Sequence, residues 1–288
     1  MLLRSFTLLA GLVLLSFCQK KAEPVPTPLP PVNIPPTPPP SYSFAETPTW
    51  ADEFDYEGLP DPKKWGYDVG GGGWGNNELE FYTDKKVENA RAEGGKLIIE
   101  ARKEAIGNRN YSSARLVTKG KGDFLYGRIE VRAKLPRGRG TWPAIWTLAS
   151  QSSYGSNYWP DNGEIDIMEH VGFDPGRVHA NVHTKAFNHA IKTNKGNQIS
   201  VPDCMDVFHT YRVDWTPQEM TFFVDDKSHF TFQNSGAGWE QWPYDKPQHL
   251  LLNIAVGGNW GGQQGVDDSV FPQRMEVEFV RVYKLVTK

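Results

Sequence analysis

The sequence has little cysteine, no excess of either charge and no helical periodicity. With 2 cysteines in 288 residues, a disulfide-rich scaffold is excluded. A formal net charge of -3 leaves no strongly basic domain, so we expect no nucleic-acid partner. After the first residues, no stretch is long and apolar enough to cross a bilayer, which takes about 20 residues.

Proline and tryptophan are present but unevenly distributed. Ten of the 22 prolines fall between Pro24 and Pro40, whereas all ten tryptophans lie at or after Trp50. A proline-rich stretch favours an extended polyproline II conformation, which acts as a semi-rigid spacer. The composition therefore predicts a tether followed by an aromatic-rich globular domain.

The N-terminal segment has the features of an export signal. Arg4 is followed by an apolar run from Leu8 to Phe17, which is too short to span a bilayer. The stretch Leu15-Ser16-Phe17-Cys18 resembles a bacterial lipoprotein signal, in which the cysteine is lipidated and becomes the mature N-terminus. An ordinary signal peptide on a secreted protein is the alternative. Lipidation of Cys18 would leave Cys204 without a disulfide partner.

We therefore predict three regions: a lipoprotein-type signal peptide over residues 1–18, a proline-rich tether over 19–45 and a globular domain over 46–288. Short strand patterns follow each other along the globular domain. From Phe124 to Leu135, for example, Ile129, Val131 and Ala133 alternate with charged residues. Many short strands with glycine-rich turns predict a single all-β domain, a sandwich or jelly roll.

One acidic strand carries the clearest chemical signal. Glu164 and Asp166 share one face of the predicted strand 164–171, while Ile165 and Ile167 point to the core. Strict alternation would turn Glu169 to the core. We predict a one-residue β-bulge at 167–168, which brings all three acids to one face.

Three acids on one face suit glycosidic bond hydrolysis. Like charges raise a carboxyl pKa, which favours a general acid. If the side chains of Glu164 and Glu169 lean together, their carboxyl groups approach about 5–5.5 Å, the spacing of a retaining glycosidase. The alternative is a solvated edge strand, but the neighbouring Trp142, Trp146 and Trp159 are unusual beside such an edge.

The acidic strand resembles the active-site signature of glycoside hydrolase family 16 in its bulged Glu-x-Asp-x-x-Glu form. Five further segments resemble the family in order: GWGNNELEFYT (73–83), ARLVTK (114–119), YGRIEVRAK (126–134), GTWPAIW (140–146) and GGNWGG (257–262). The combination is similar to the bacterial laminarinase branch, the endo-β-1,3-glucanases, over residues 50–288.

This resemblance implies a β-jelly roll of two antiparallel sheets with a concave substrate cleft. It also implies that Glu164 is the nucleophile, that Glu169 is the general acid/base and that Asp166 tunes the protonation of the nucleophile. The reaction would be double displacement with retention of configuration. No cofactor is expected for catalysis.

The resemblance and the aromatic content also suggest substrate-binding residues. Aromatic rings stack on the apolar faces of sugars, whereas Trp215, in a predicted hairpin strand, is expected in the core. A zinc site from His179 and His183 is disfavoured because that strand offers no third ligand. The predicted substrate-binding residues are Asn76, Arg115, Trp142, Trp146, His183 and Trp260.

Family members often bind a structural calcium ion away from the cleft. The matching positions are Glu53, the Gly95 carbonyl and Glu278, although position 278 is more usually aspartate in the family. Oxygen ligands from three distant segments are typical of calcium. The alternative is a set of surface acids near the chain ends.

Three functions remain open from the sequence. The first is a monomeric endo-β-1,3-glucanase held at the cell surface, with the membrane contacted only through the lipid anchor. The second is a related hydrolase of mixed-linkage β-1,3-1,4-glucan or a marine galactan. The third is a non-catalytic sugar-binding surface lipoprotein, against which the three crowded acids argue.

Overall fold

A computed structural model of the chain describes residues 41–287. The predicted signal peptide, Cys18 and most of the predicted tether lie outside the described residues. Within the described residues, no helix has the length and apolar character needed to cross a membrane.

Strands make up almost all of the regular secondary structure of the described chain, as the alternating patterns predict. Two 3-10 turns, His189–Ile191 and Asp268–Val270, interrupt them. The strands are β1 (Tyr42–Phe44), β2 (Trp50–Asp52), β3 (Gly66–Tyr67), β4 (Glu80–Tyr82), β5 (Ala90–Ala92), β6 (Leu97–Ile106), β7 (Arg109–Ser113), β8 (Arg115–Val117), β9 (Asp123–Phe124), β10 (Gly127–Lys134), β11 (Thr141–Ala149), β12 (Glu164–Glu169), β13 (Arg177–His183), β14 (Lys195–Ser200), β15 (His209–Trp215), β16 (Glu219–Val224), β17 (Lys227–Gln233), β18 (Gln248–Val256), β19 (Gln273–Tyr283) and β20 (Leu285–Thr287).

Two large sheets form the sandwich. The first has the order β17-β16-β15-β10-β19-β6-β7-β4, with β2 paired to β19 and β5 to β6. The second, which we call the cleft sheet, has the order β14-β13-β12-β11-β18-β8-β3, with β9 paired to β18. The acidic strand β12 therefore lies inside the cleft sheet, between β11 and β13, and not at an edge.

The core lies between the two sheets. Alternate residues of β10, such as Ile129 and Val131, are buried from the first sheet, and Ile165 and Leu252 are buried from the cleft sheet. Trp215 is fully buried in β15, which confirms its predicted core position. The opposite face of the cleft sheet carries the side chains of Trp146, Glu164 and Asn253, which line a surface cavity.

The predicted jelly-roll sandwich is confirmed, with two differences of detail. β4 and β7 pair in parallel, so the sheets are not wholly antiparallel; the intervening β5 and β6 supply the crossover that a parallel pair needs. In addition, β1 falls inside the predicted tether 19–45. It pairs with β20, and the Arg128 guanidinium lies 4.8 Å from the Phe44 ring, so the folded domain begins before residue 46.

Candidate active site

The acidic strand contains the predicted bulge. On β11, Ile145 pairs with Met168 while the next residue, Trp146, pairs with Asp166, so Ile167 is the additional residue. The register with β13 shifts at the same place, between Asp166 and Glu169. As a result Ile167 and Met168 are both buried in the core, and all three acids line the cleft.

Glu169 is held by two hydrogen-bond donors from neighbouring strands. Trp142 Nε1 donates to its Oε1 at 3.0 Å, and Asn181 Nδ2 donates to its Oε2 at 3.0 Å. Burial raises the pKa of Glu169, whereas the positive charge of His183 and these two hydrogen bonds lower it. The carboxyl group is therefore fixed in direction while its proton affinity stays above that of an exposed glutamate.

Glu164 and Asp166 form a second group with His183. His183 Nε2 lies 3.2 Å from Asp166 Oδ2 and 3.7 Å from Glu164 Oε1. Burial raises the pKa of Glu164 and of Asp166 well above their ordinary values, and the charge of Asp166 adds to the effect on Glu164. Buried carboxylates this close resist ionising together, so the group retains a proton to higher pH than isolated acids would.

The acids open into a cleft cavity of about 330 Å³. Its walls are rich in aromatic side chains, which suits sugar rings because their large faces bury apolar area at small entropic cost. The lining residues include the three acids together with Trp74, Asn76, Glu78, Arg115, Trp142, Trp146, Tyr158, Trp159, His189 and Asn253.

Arg115 lies between two tryptophans of the cleft wall. Its guanidinium is 4.7 Å from the ring of Trp74 and 4.7 Å from the ring of Trp146, and Asp68 pairs with its Nε at 3.1 Å. Trp74 has a backbone φ of 50°, a left-handed conformation that is rare for so bulky a residue. Arg115 therefore holds the aromatic wall in place as well as facing the cavity.

A chain of hydrogen bonds connects the cavity floor to the loop before β4. Trp146 Nε1 donates to Asn253, whose amide donates to the Tyr82 hydroxyl, and that hydroxyl donates to Glu78. Asn76 Nδ2 lies 3.4 Å from the same Glu78 carboxylate. The predicted residues Asn76 and Trp146 are thus brought into one network.

Two of the predicted substrate residues do not line the cavity. The side chain of His183 is 7% exposed and lies against Glu164 and Asp166, so it contacts the acids and not an open sugar site. Trp260 packs edge-on against Trp142, with ring centroids 5.5 Å apart, and against His179, with ring centroids 4.9 Å apart. Asn76, Arg115, Trp142 and Trp146 do line it.

Sequence reasoning missed other wall residues. Trp159 and His189 lie beside each other, with ring centroids 5.0 Å apart, and both line the cavity. The aromatic residues before the acidic strand were a signal for Trp159. No sequence signal pointed to His189, because it lies in a 3-10 turn between β13 and β14 that only the fold brings to the cleft.

Both carboxylates predicted to bind calcium, Glu53 and Glu278, form ion pairs with arginines instead. Both oxygens of Glu53 pair with Arg281 at 2.8 Å, and Glu278 pairs with Arg132 at 2.5 Å. Calcium prefers carboxylates that are free to donate oxygen to the ion. With an arginine on each carboxylate, the side chains of Glu53 and Glu278 do not fit a calcium site.

Comparison with known proteins identifies the family. A profile described as glycosyl hydrolases family 16 matches residues 73–281. The chain is 60% identical over 242 residues to a beta-glucanase of Rhodothermus marinus, covering 82% of this chain and 85% of that protein. The chain belongs to glycosyl hydrolases family 16.

Two solved structures agree with that assignment. The X-ray structure of the laminarinase from Rhodothermus marinus superposes with a TM-score of 0.82 at 57% identity, covering 86% of this chain and 99% of that chain. The crystal structure of SCLam, described as a non-specific endo-beta-1,3(4)-glucanase, superposes with a TM-score of 0.78 at 48% identity, covering 84% and 91%. This family 16 chain is a glycoside hydrolase, and catalysis in the family needs no cofactor.

Proposed function

We propose that this glycoside hydrolase cleaves internal β-1,3 linkages of a laminarin-type β-glucan with retention of configuration. The observation that carries the proposal is the bulge of β12, which turns Glu164, Asp166 and Glu169 into one aromatic-walled cleft. The relatives named as a beta-glucanase and a laminarinase support the substrate class. An open cleft, rather than a closed pocket, suits cleavage within a polymer.

The environments of the acids suggest their roles. Glu169, directed by Trp142 and Asn181, protonates the leaving glycosidic oxygen. Glu164 attacks the anomeric carbon, which forms a glycosyl-enzyme as the bond to the leaving oxygen breaks. Glu169, now ionised, takes a proton from water, whose oxygen attacks the anomeric carbon and releases Glu164.

Asp166 acts on the nucleophile and not on the sugar. It is 2% exposed, and burial and the Glu169 charge raise its pKa. A protonated Asp166 can donate a hydrogen bond to Glu164, which stabilises Glu164 as the ionised nucleophile while the group as a whole carries less negative charge.

Two substitutions test these roles. Glu169→Gln should lower the rate on laminarin by about 10²–10⁴, the usual contribution of a positioned general acid. Glu164→Ala should abolish hydrolysis, and added azide should restore turnover on an activated β-glucoside by giving an α-glucosyl azide. Activity of Glu164→Ala without azide would contradict the nucleophile assignment.

Product analysis and substrate comparison test the stereochemistry of the reaction and the linkage that is cleaved. NMR of the first products from laminarin should show the β-anomer, which retention requires. Rates on laminarin, lichenan and agarose separate a β-1,3-glucanase from the mixed-linkage and galactan alternatives. The mixed-linkage alternative is supported by the similarity to SCLam, a non-specific endo-beta-1,3(4)-glucanase, and higher rates on lichenan would favour it.

The location of the enzyme is a separate proposal, resting on sequence outside the described residues. A signal ending at Cys18 and a tether rich in proline support export and attachment to the cell envelope through a lipid on Cys18. Metabolic labelling with a fatty acid should modify the native chain and not Cys18→Ser. Labelling of neither would indicate an ordinary signal peptide and a secreted enzyme.

A further inference from the structure

The group formed by Glu164, Asp166 and His183 offers three potential metal ligands. One ligand atom from each residue lies within 4.8 Å of the other two. His183 Nε2 is 3.2 Å from Asp166 Oδ2 and 3.7 Å from Glu164 Oε1. Atoms bound at about 2.0–2.2 Å to a tetrahedral zinc ion lie about 3.3–3.6 Å apart, so two of the three ligand separations are already close to that geometry.

Asp166 provides independent evidence that the group lacks a partner. Its side chain is nine-tenths buried or more, and its Oδ2 accepts no hydrogen bond from any residue in 41–287. That oxygen is directed at His183 Nε2. A buried side-chain oxygen without a hydrogen-bond partner is costly. An ion between Asp166 and His183 would give that oxygen a partner, and its binding would release the proton that the group otherwise keeps.

Glu169 does not compete for the same ion. Its two oxygens accept hydrogen bonds from Trp142 and Asn181. The open side of the group faces the cleft cavity, because Glu164 lines that cavity. An ion could therefore enter from the cleft and keep water in its fourth position, as in sites with three protein ligands.

We propose that Glu164, Asp166 and His183 form a binding site for one divalent transition-metal ion, such as Zn²⁺, and that the bound ion inhibits the enzyme. One imidazole nitrogen with two carboxylate oxygens suits zinc and copper better than magnesium or calcium. The ion would occupy the oxygen of Glu164 that attacks the sugar, so metal and substrate would exclude each other.

The surroundings set the strength of the site. His183 Nδ1 has no hydrogen-bond partner among the described residues, whereas metal-bound histidines usually donate that proton to a carboxylate or carbonyl. The absence of such a partner weakens metal sites by about 10–100-fold. We therefore expect zinc to bind more weakly here than at a permanent cofactor site, which makes the site an inhibitory one.

The first test measures metal binding directly and does not depend on an activity assay. Isothermal titration of the purified enzyme with zinc chloride should show one ion per chain, and Co²⁺ should develop the visible absorption of a four-coordinate nitrogen and oxygen site. His183→Asn and Glu164→Gln each remove a ligand and should weaken zinc binding by at least about 10–100-fold, the usual effect of losing an outer-shell partner. Circular dichroism and thermal melting confirm that each variant is folded.

His209 provides the matched control. It also contacts two carboxylates, but Asp225 lies against Nδ1 at 2.8 Å and Asp203 against Nε2 at 3.2 Å, so the two acids cannot share one ion with a single nitrogen. His209→Asn should keep zinc binding. Undiminished binding in folded Glu164→Gln or His183→Asn, or no binding by the native enzyme, would overturn the site.

Inhibition is measured separately, because it rests on the proposed function whereas binding does not. Zinc should raise the KM for laminarin without lowering kcat, and excess chelator should restore the native KM. Zinc binding with no inhibition would refute the inhibitory role and leave the site in place. Inactivity of the enzyme on every glucan would refute the proposed function without affecting the titration.

Discussion

Asn181 should set the pH at which the general acid loses its proton. Its amide donates to Glu169 at 3.0 Å, and this bond stabilises the ionised carboxylate. A hydrogen bond to a charged group is worth about 1.5–3 kcal/mol, and one pKa unit corresponds to about 1.4 kcal/mol. Because Trp142 remains as a second donor, we take the lower figure: Asn181→Ala should raise the pKa of Glu169 by about 1 unit.

The assay is the pH dependence of kcat/KM on laminarin, whose basic limb reports the general acid of the free enzyme. A higher pKa keeps Glu169 protonated to higher pH, so the basic limb of Asn181→Ala should move upward by about 1 pH unit. Asn197→Ala on β14 is the control, since that amide donates to the His229 carbonyl and should leave the limb in place. A basic limb that stays fixed or moves downward in folded Asn181→Ala would refute this reasoning.

Three further predictions concern the cleft wall, the core and the calcium prediction. Arg115→Met should raise the KM for laminarin more than it lowers kcat, because the cation between Trp74 and Trp146 is lost; an unchanged KM would contradict this. Trp215→Ala should cost about 3–5 kcal/mol of the free energy of unfolding, measured by urea denaturation, and a loss well below that range would contradict its core position. Chelation with EDTA should leave the Tm unchanged, since both predicted calcium carboxylates are paired with arginines, and a fall of several degrees would indicate a bound ion.

The features of the site that lie on a single strand could be predicted from the sequence. Side chains alternate along a strand, so the extra residue between Asp166 and Glu169 required a bulge if all three acids were to share a face. The buried faces of β10 and β12 followed from the same alternation. These features depend on local periodicity, which a sequence displays directly.

Features that depend on distant segments could not be predicted in the same way. Arg115 meets Trp74 and Trp146 only because β8, the loop before β4 and β11 come together in the fold. His183 was expected to contact sugar because it lies on the same strand face as the acids. In the fold its ring is covered by Trp159, from the segment between β11 and β12, and by His189, from the segment between β13 and β14. Alternation along a strand predicts the face on which a side chain lies, but not how deeply the rest of the fold buries it.

The pairing of β1 with β20 has a consequence for engineering. Tyr42 lies directly opposite Thr287, and paired strands are about 4.7–4.9 Å apart, so a short peptide could join the two. New ends could then be opened in the exposed loop at Gly236, away from the residues that line the cleft. A circular permutant of this kind should keep the bulged strand and its acids intact, which would allow a binding module to be fused on a different side of the enzyme.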